Sequence, residues 1–128
     1  MSATYTIKNL RAVEDSAPRF GLSEVQEAHF AHDELGASDT GFSFHVLTPG
    51  GRQPFGHRHE QAEEVYVVLG GSGRVKLDDE VLEIGPLDAV RVSPTVVRAF
   101  EAGPGGLEWL AFGPRRKGDG ELLPEWWA

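Results

Sequence analysis

The sequence predicts an all-β fold, an antiparallel sandwich or barrel, and three observations carry that reading. From Gly41 onwards seven short β-rich runs follow one another: "FSFHVL", "EVYVVL", "GRVKL", "VLEI", "AVRV", "VVRAF" and "LEWLAF". Between them lie "TPGG", "GGSG", "DDE", "GPLD", "SPT" and "EAGPGG", whose residues supply a positive φ or fix a negative one. No long helical periodicity interrupts the series. Short strands at close spacing, punctuated by turn-formers, belong to sandwiches and barrels rather than to parallel α/β sheets.

Taken in order, residues 1–40 read as an N-terminal arm with edge strands. The stretch up to Gly21 has scattered apolar positions (Tyr5, Ile7, Leu10, Val13, Phe20) without a period. "SEVQEAHFAHDELG" supports two readings. Ser23 with Gln26 resembles a helix capping box with Gly36 as the stop, whereas Ala28 and Phe30 alternate with polar neighbours as a strand does. A short strand near Glu27 to Ala31 is the preferred reading. Residues 41–113 hold the seven strands and form the expected barrel core. Residues 114–128 are a polar tail that ends in Trp126 and Trp127, which are expected to pack on the barrel or on a partner subunit. The whole is expected to be one domain.

The totals exclude several function classes. A net charge of −8 disfavours nucleic acid and anionic membrane as partners. The absence of cysteine removes disulfide scaffolds, thiolate zinc sites and cysteine nucleophiles. "MSATYTIKNL" has no apolar h-region, and no run of eighteen apolar residues occurs, so the expectation is a soluble cytoplasmic protein.

The chemistry concentrates in "FGHRHEQAEEVYVVLGG", Phe55 to Gly71. Residues at i and i+2 of an extended chain point the same way, so His57 and His59 can present two imidazoles to one point. A nearby carboxylate would complete a His₂Glu set suited to first-row divalent metals. Gly51, then His57-x-His59, then a glutamate followed after six residues by a glycine resembles the first motif of the cupin family. The resemblance continues through "VLGGSGRVKLDDEVLEIGPLDAVRVSP" and spans about Gly41 to Phe112. It implies a double-stranded β-helix (jelly-roll) barrel, a homodimer, and a small-molecule ligand. Alternation from His59 selects Glu63 as the inward carboxylate. The family's "V-L-x-G" ending, laid on Val68 to Gly71, selects Glu64 instead and requires a turn or bulge at "EQA" to change the parity.

The second motif departs from the resemblance. Metal-binding cupins have glycine, proline, glycine and a histidine ligand where this chain has Leu87, Ser93, Thr95 and Arg98. Arg98 shares a face with Phe100 and is expected to point inward. A guanidinium has no lone pair to ligate with and its charge opposes a cation. It would pair with Glu64, grip an anionic substrate, or lie in water at the barrel mouth with its stem packed. His57, His59 and Glu64 alone retain the composition of a facial triad.

His45 and Tyr66 are further candidates to line the pocket beside Arg98, although a hydrogen-bonded strand histidine explains the first equally well and a core tyrosine is the commoner outcome for the second. His29 and His32 read as surface residues, and Arg115, Arg116 and Lys117 as a solvated charge run. No residue is singled out as catalytic. Two functions stay open: a metallo-enzyme (oxygenase, isomerase or decarboxylase) using Fe, Mn, Ni or Zn on an anionic substrate, and a metal-free small-ligand binding or sensing module. A purely structural barrel gives no reason for so many polar groups converging on one pocket.

Overall fold

The computed structural model describes residues 4–124, 126 and 127, so the extreme ends of the arm and tail lie outside the described residues. Eight strands follow in order: β1 Gln26–Phe30, β2 Thr40–Leu47, β3 Phe55–His59, β4 Glu64–Leu77, β5 Glu80–Ile84, β6 Ala89–Val92, β7 Arg98–Pro114 and β8 Gly120–Pro124. One face of the barrel runs β1-β2-β7-β3-β8. On the other, β4 pairs with β5, β6 and β7. Every pairing is antiparallel. This is the predicted all-β jelly roll.

Two pairs of predicted strands are fused. "EVYVVL" and "GRVKL" form one strand, β4, and "VVRAF" and "LEWLAF" form one strand, β7. The glycine-rich stretches between them are corners rather than chain reversals. At the corner the register shifts between Val68 and Gly70 and again between Gly71 and Gly73. Gly71 has φ +74°, and a Cβ there would lie 2.0 Å from the Gly106 carbonyl oxygen. Only glycine lets both strands turn together at that distance.

The strand reading of the 23–36 segment holds for its first half, with β1 covering Gln26–Phe30. A single helical turn, His32–Leu35, follows and is stopped by Gly36 at φ +69°. Part of the tail also joins the sheet, since β8 pairs with β3 from Phe55↔Pro124 to His59↔Gly120. Beyond it the tail folds back on its own barrel. Trp127 Nε1 donates to the Gln53 carbonyl at 2.8 Å, and Lys76 Nζ lies 4.5 Å from the Trp126 ring centroid.

The core gathers Leu47, Val68, Val75, Leu107, Phe100 and Trp109. Phe100 and Trp109 stack at 4.3 Å and an interplanar angle of 23°. Burying such side chains contributes about 1.5–3 kcal/mol each. The sheet is covered on its outer side as well, which corrects the reading of His29 as a surface residue. Its ring is buried, bonds to the Val13 carbonyl at 2.7 Å and Glu27 Oε1 at 2.9 Å, and stacks on Phe44. The N-terminal arm supplies that cover through buried Val13 and Ala17. His32 is half-buried and its Nδ1 donates to the Thr40 carbonyl at 2.8 Å. Among the described residues no helix is long and apolar enough to cross a membrane.

Candidate metal centre and ligand cavity

Three strands bring the polar groups together. β3 presents His57 and His59 on one side by its two-residue period, with rings 5.5 Å apart and nearly perpendicular. β4 presents Glu64 and Tyr66 in the same way. Arg98 opens β7 directly opposite His57 in the β3–β7 pair. The chain bends at Glu60–Gln61 between β3 and β4, and this bend supplies the change of parity that turns Glu64 inward. Glu63 instead faces Arg91 at 3.2 Å with more than half of its side chain exposed.

Asp119, which nothing in the sequence singled out, holds that bend. Its carboxylate accepts from the backbone N–H groups of Glu60 (3.2 Å), Gln61 (3.0 Å) and Ala62 (3.0 Å). Burial works against its charge, but these three donors outweigh it and hold the carboxyl below its usual range. Asp119 Oδ2 also lies 3.3 Å from His59 Nδ1, off the line of a hydrogen bond.

One oxygen, Glu64 Oε1, is the meeting point. It lies 3.3 Å from His57 Nε2, 3.1 Å from His59 Nε2, 2.6 Å from Tyr66 Oη and 2.9 Å from Arg98 Nη2. Burial alone would raise the Glu64 carboxyl, but the bonds from His57, His59 and Tyr66 prevail and hold it well below the carboxylate range. Burial in turn pushes the Tyr66 phenol well up, with the Glu64 charge adding to it, so Tyr66 is a neutral donor.

Arg98 is fully buried. Its Nε donates to Tyr66 Oη at 2.9 Å, and its Nη1 to the carbonyls of Pro94 (3.0 Å) and Val96 (2.7 Å). The alternative of an arginine in water at the barrel mouth is therefore overturned. Its donors are directed at the protein, and it contributes no wall to the ligand cavity. The expectation that Arg98 contacts substrate rested on a free guanidinium. Here Arg98 stands behind Glu64 and Tyr66 and neutralises the carboxylate.

In front of these groups opens a cavity of about 390 Å³. His57, His59, Glu64 and Tyr66 form its polar end, and Phe55, Phe100, Trp109 and Leu122 are among its apolar walls. His45 also lines it. Its Nε2 bonds to Ser43 Oγ at 2.8 Å, its ring stacks on Trp109 at 5.2 Å, and its buried Nδ1 has no partner.

The donor set suits a divalent metal. The ligand atoms of His57, His59 and Glu64 lie within 4.8 Å of one another. Atoms about 2.1 Å from a common tetrahedral or octahedral ion are roughly 3.0–3.4 Å apart, which matches both Glu64–histidine distances. A guanidinium has no lone pair to offer, so Arg98 adds no ligand and the candidate set is three.

Residues 43–113, more than half of the chain, match the family described as Cupin domain. The chain belongs to the cupin family. Solved structures agree with the barrel. A cupin protein from Bacteroides fragilis is 24% identical with a TM-score of 0.71, covering 91% of this cupin and 89% of that chain. The polyketide cyclase RemF from Streptomyces resistomycificus is 20% identical with a TM-score of 0.74, covering 93% and 84%. A sugar phosphate isomerase of the cupin superfamily from Silicibacter pomeroyi is 15% identical with a TM-score of 0.70, covering 93% and 92%. No curated protein sequence matches the chain.

Proposed function

We propose that this cupin holds one divalent metal ion on His57, His59 and Glu64 and uses it to bind an oxygen-bearing group of a small, largely apolar substrate. The observation that carries this reading is the meeting of two imidazole nitrogens and one carboxylate oxygen at the inner end of an otherwise apolar cavity. A bound Fe, Mn, Ni or Zn ion would supply Lewis-acid polarisation of the substrate oxygen. The chain's own residues do the remainder. Tyr66 and Arg98 fix the Glu64 carboxylate, Asp119 stands behind His59, and the aromatic walls orient the substrate and exclude water. Isomerisation, cyclisation, oxygenation and decarboxylation are all compatible with such a centre. Walls built from Phe55, Phe100, Trp109 and Leu122 suit the substrate of a polyketide cyclase better than that of a sugar phosphate isomerase.

Metal analysis of protein purified without an affinity tag tests the proposal. About one equivalent of metal is expected, with calorimetric Mn²⁺ or Zn²⁺ binding that weakens at least tenfold in His57→Ala and His59→Ala. Absence of metal and of titratable binding in the wild type would sink it.

A second reading, a metal-free ligand-binding barrel, is favoured by the Arg98–Glu64 contact, which already gives the carboxylate a counter-charge. In that case chelators leave both stability and ligand binding unchanged.

A further inference from the structure

Acidic residues outnumber basic ones by 20 to 12, so a surface cation has many carboxylates to find. All but four of the lysines and arginines form ion pairs with described carboxylates. Of those four, Lys76 is held by the carbonyl and ring of Trp126. The other three are consecutive: Arg115, Arg116 and Lys117. All are exposed, and none has a side-chain partner among the described residues. Their loop joins β7 to β8 and is anchored by the Arg115 backbone N–H, which donates to the Asp39 carbonyl at 2.8 Å.

The triplet is not merely a solvated surface. It forms one wall of a second cavity, of about 270 Å³, whose other walls include His59 and Glu64. Those two residues line the larger cavity as well, so the two chambers meet at the candidate metal centre. The carboxylates nearest this meeting point are already engaged. Glu64 is paired with Arg98, and Asp119, only 6% exposed at its side chain, accepts three backbone N–H groups. The uncompensated positive charge of the triplet therefore faces a chamber without a free anion in it.

We propose that Arg115, Arg116 and Lys117 bind an anionic oxygen group, a carboxylate or phosphate ester, of a molecule whose apolar body occupies the larger cavity. Arginine forks match both groups, and an anion placed there neutralises charge that the fold leaves open. The inference rests on the larger cavity being the ligand site.

Calorimetry with 1-naphthol, 1-naphthoate and 1-naphthyl phosphate tests it, on the full chain and on an Arg115→Ser/Arg116→Ser/Lys117→Ser variant, at about 20 mM and about 300 mM salt. In the wild type at low salt at least one anion is expected to bind roughly tenfold or more tightly than naphthol, a preference that shrinks at high salt. The better of the two anions identifies the group. The variant should lose the preference and bind naphthol as the wild type does. If the anions bind no better than naphthol, or if the preference persists in the variant, the assignment to this loop is overturned while the cavity reading stands. If naphthol and both anions fail to bind the wild type, the cavity reading falls and the inference falls with it.

Discussion

Arg98 and Glu64 form a buried ion pair, Nη2 to Oε1 at 2.9 Å, at the position where the resemblance to metal-binding cupins leads one to expect a histidine. The pair sets a counter-charge beside the candidate metal ligands, and its consequences are open to measurement. Removing the guanidinium leaves Glu64, Tyr66 and two carbonyls without their donor. Arg98→Ala should destabilise the fold by about 3–5 kcal/mol, as breaking other buried pairs does, read from urea unfolding. Arg98→His removes a positive charge close to the His₂Glu set and offers a fourth ligand. Calorimetric Mn²⁺ or Zn²⁺ affinity should then rise by at least about tenfold. Unchanged metal affinity in both variants would show that the arginine does not oppose the ion.

The two adjacent glutamates should behave differently. Glu64→Gln strands the buried Arg98 charge and is expected to cost about 3–5 kcal/mol. Glu63→Gln touches only the exposed pair with Arg91 and should stay within about 0.5 kcal/mol. Equal losses in denaturant midpoints would overturn the assignment of Glu64 as the inward carboxylate.

His45 predicts an acid limb in stability. Burial above all, with the nearby His57 and His29 adding to it and Glu64 opposing, pushes its imidazole down to about 4. In the unfolded chain the ring takes up its proton near pH 6.5, whereas the folded ring does so only near 4. Stability is therefore full above about pH 6.5 and falls towards pH 4, by up to about 3 kcal/mol. Glu64 is also shifted down, but from an unfolded value near 4.3, so its contribution is present above about pH 4.3 and is lost only below that. In that window His29 acts with the opposite sign. Burial lowers its imidazole, but its bonds to Glu27 and the Val13 carbonyl outweigh burial and raise it, so only a comparison with a His45 variant isolates His45. Unfolding free energies of wild type and His45→Phe are compared from pH 7 to 4.5, and the wild type should lose stability relative to the variant as pH falls. Parallel curves would count against a neutral buried His45.

Leu87, aligned by the resemblance with the glycine of the family's second motif, has a left-handed backbone at φ +68° and a largely exposed side chain. A non-glycine residue in the left-handed region costs about 1–2 kcal/mol, part of which glycine returns as unfolded-state entropy. Leu87→Gly should stabilise the protein by roughly 0.5–1 kcal/mol, a rise of a few degrees in Tm by calorimetry. A fall in Tm would mean that Leu87 makes contacts that outweigh its strain.

The barrel and the inner histidines were legible in the sequence because they obey local rules. Period-2 alternation placed His57 and His59 side by side, turn chemistry marked where the sheet turns although it split β4 and β7 at what are corners, and the offset to Gly71 pointed to Glu64. What needed the tertiary structure is what arises from segments distant in the chain. Asp119 lies 57 residues from the backbone N–H of Ala62 that it holds, and nothing in its own neighbourhood announces that role. His29 looked like a surface residue because its strand alternates. The arm that buries it comes from before the strand and packs on the face that alternation leaves to solvent. The orientation of Arg98 was the decisive case. Its charge and its inward face could be read from the sequence, but two of its polar contacts, to Glu64 and Tyr66 on β4, leave the local chain segment and exist only because the strands are assembled. A guanidinium has several donors and no preference among carboxylates, carbonyls and a substrate, so only the assembled barrel could decide which of them it meets.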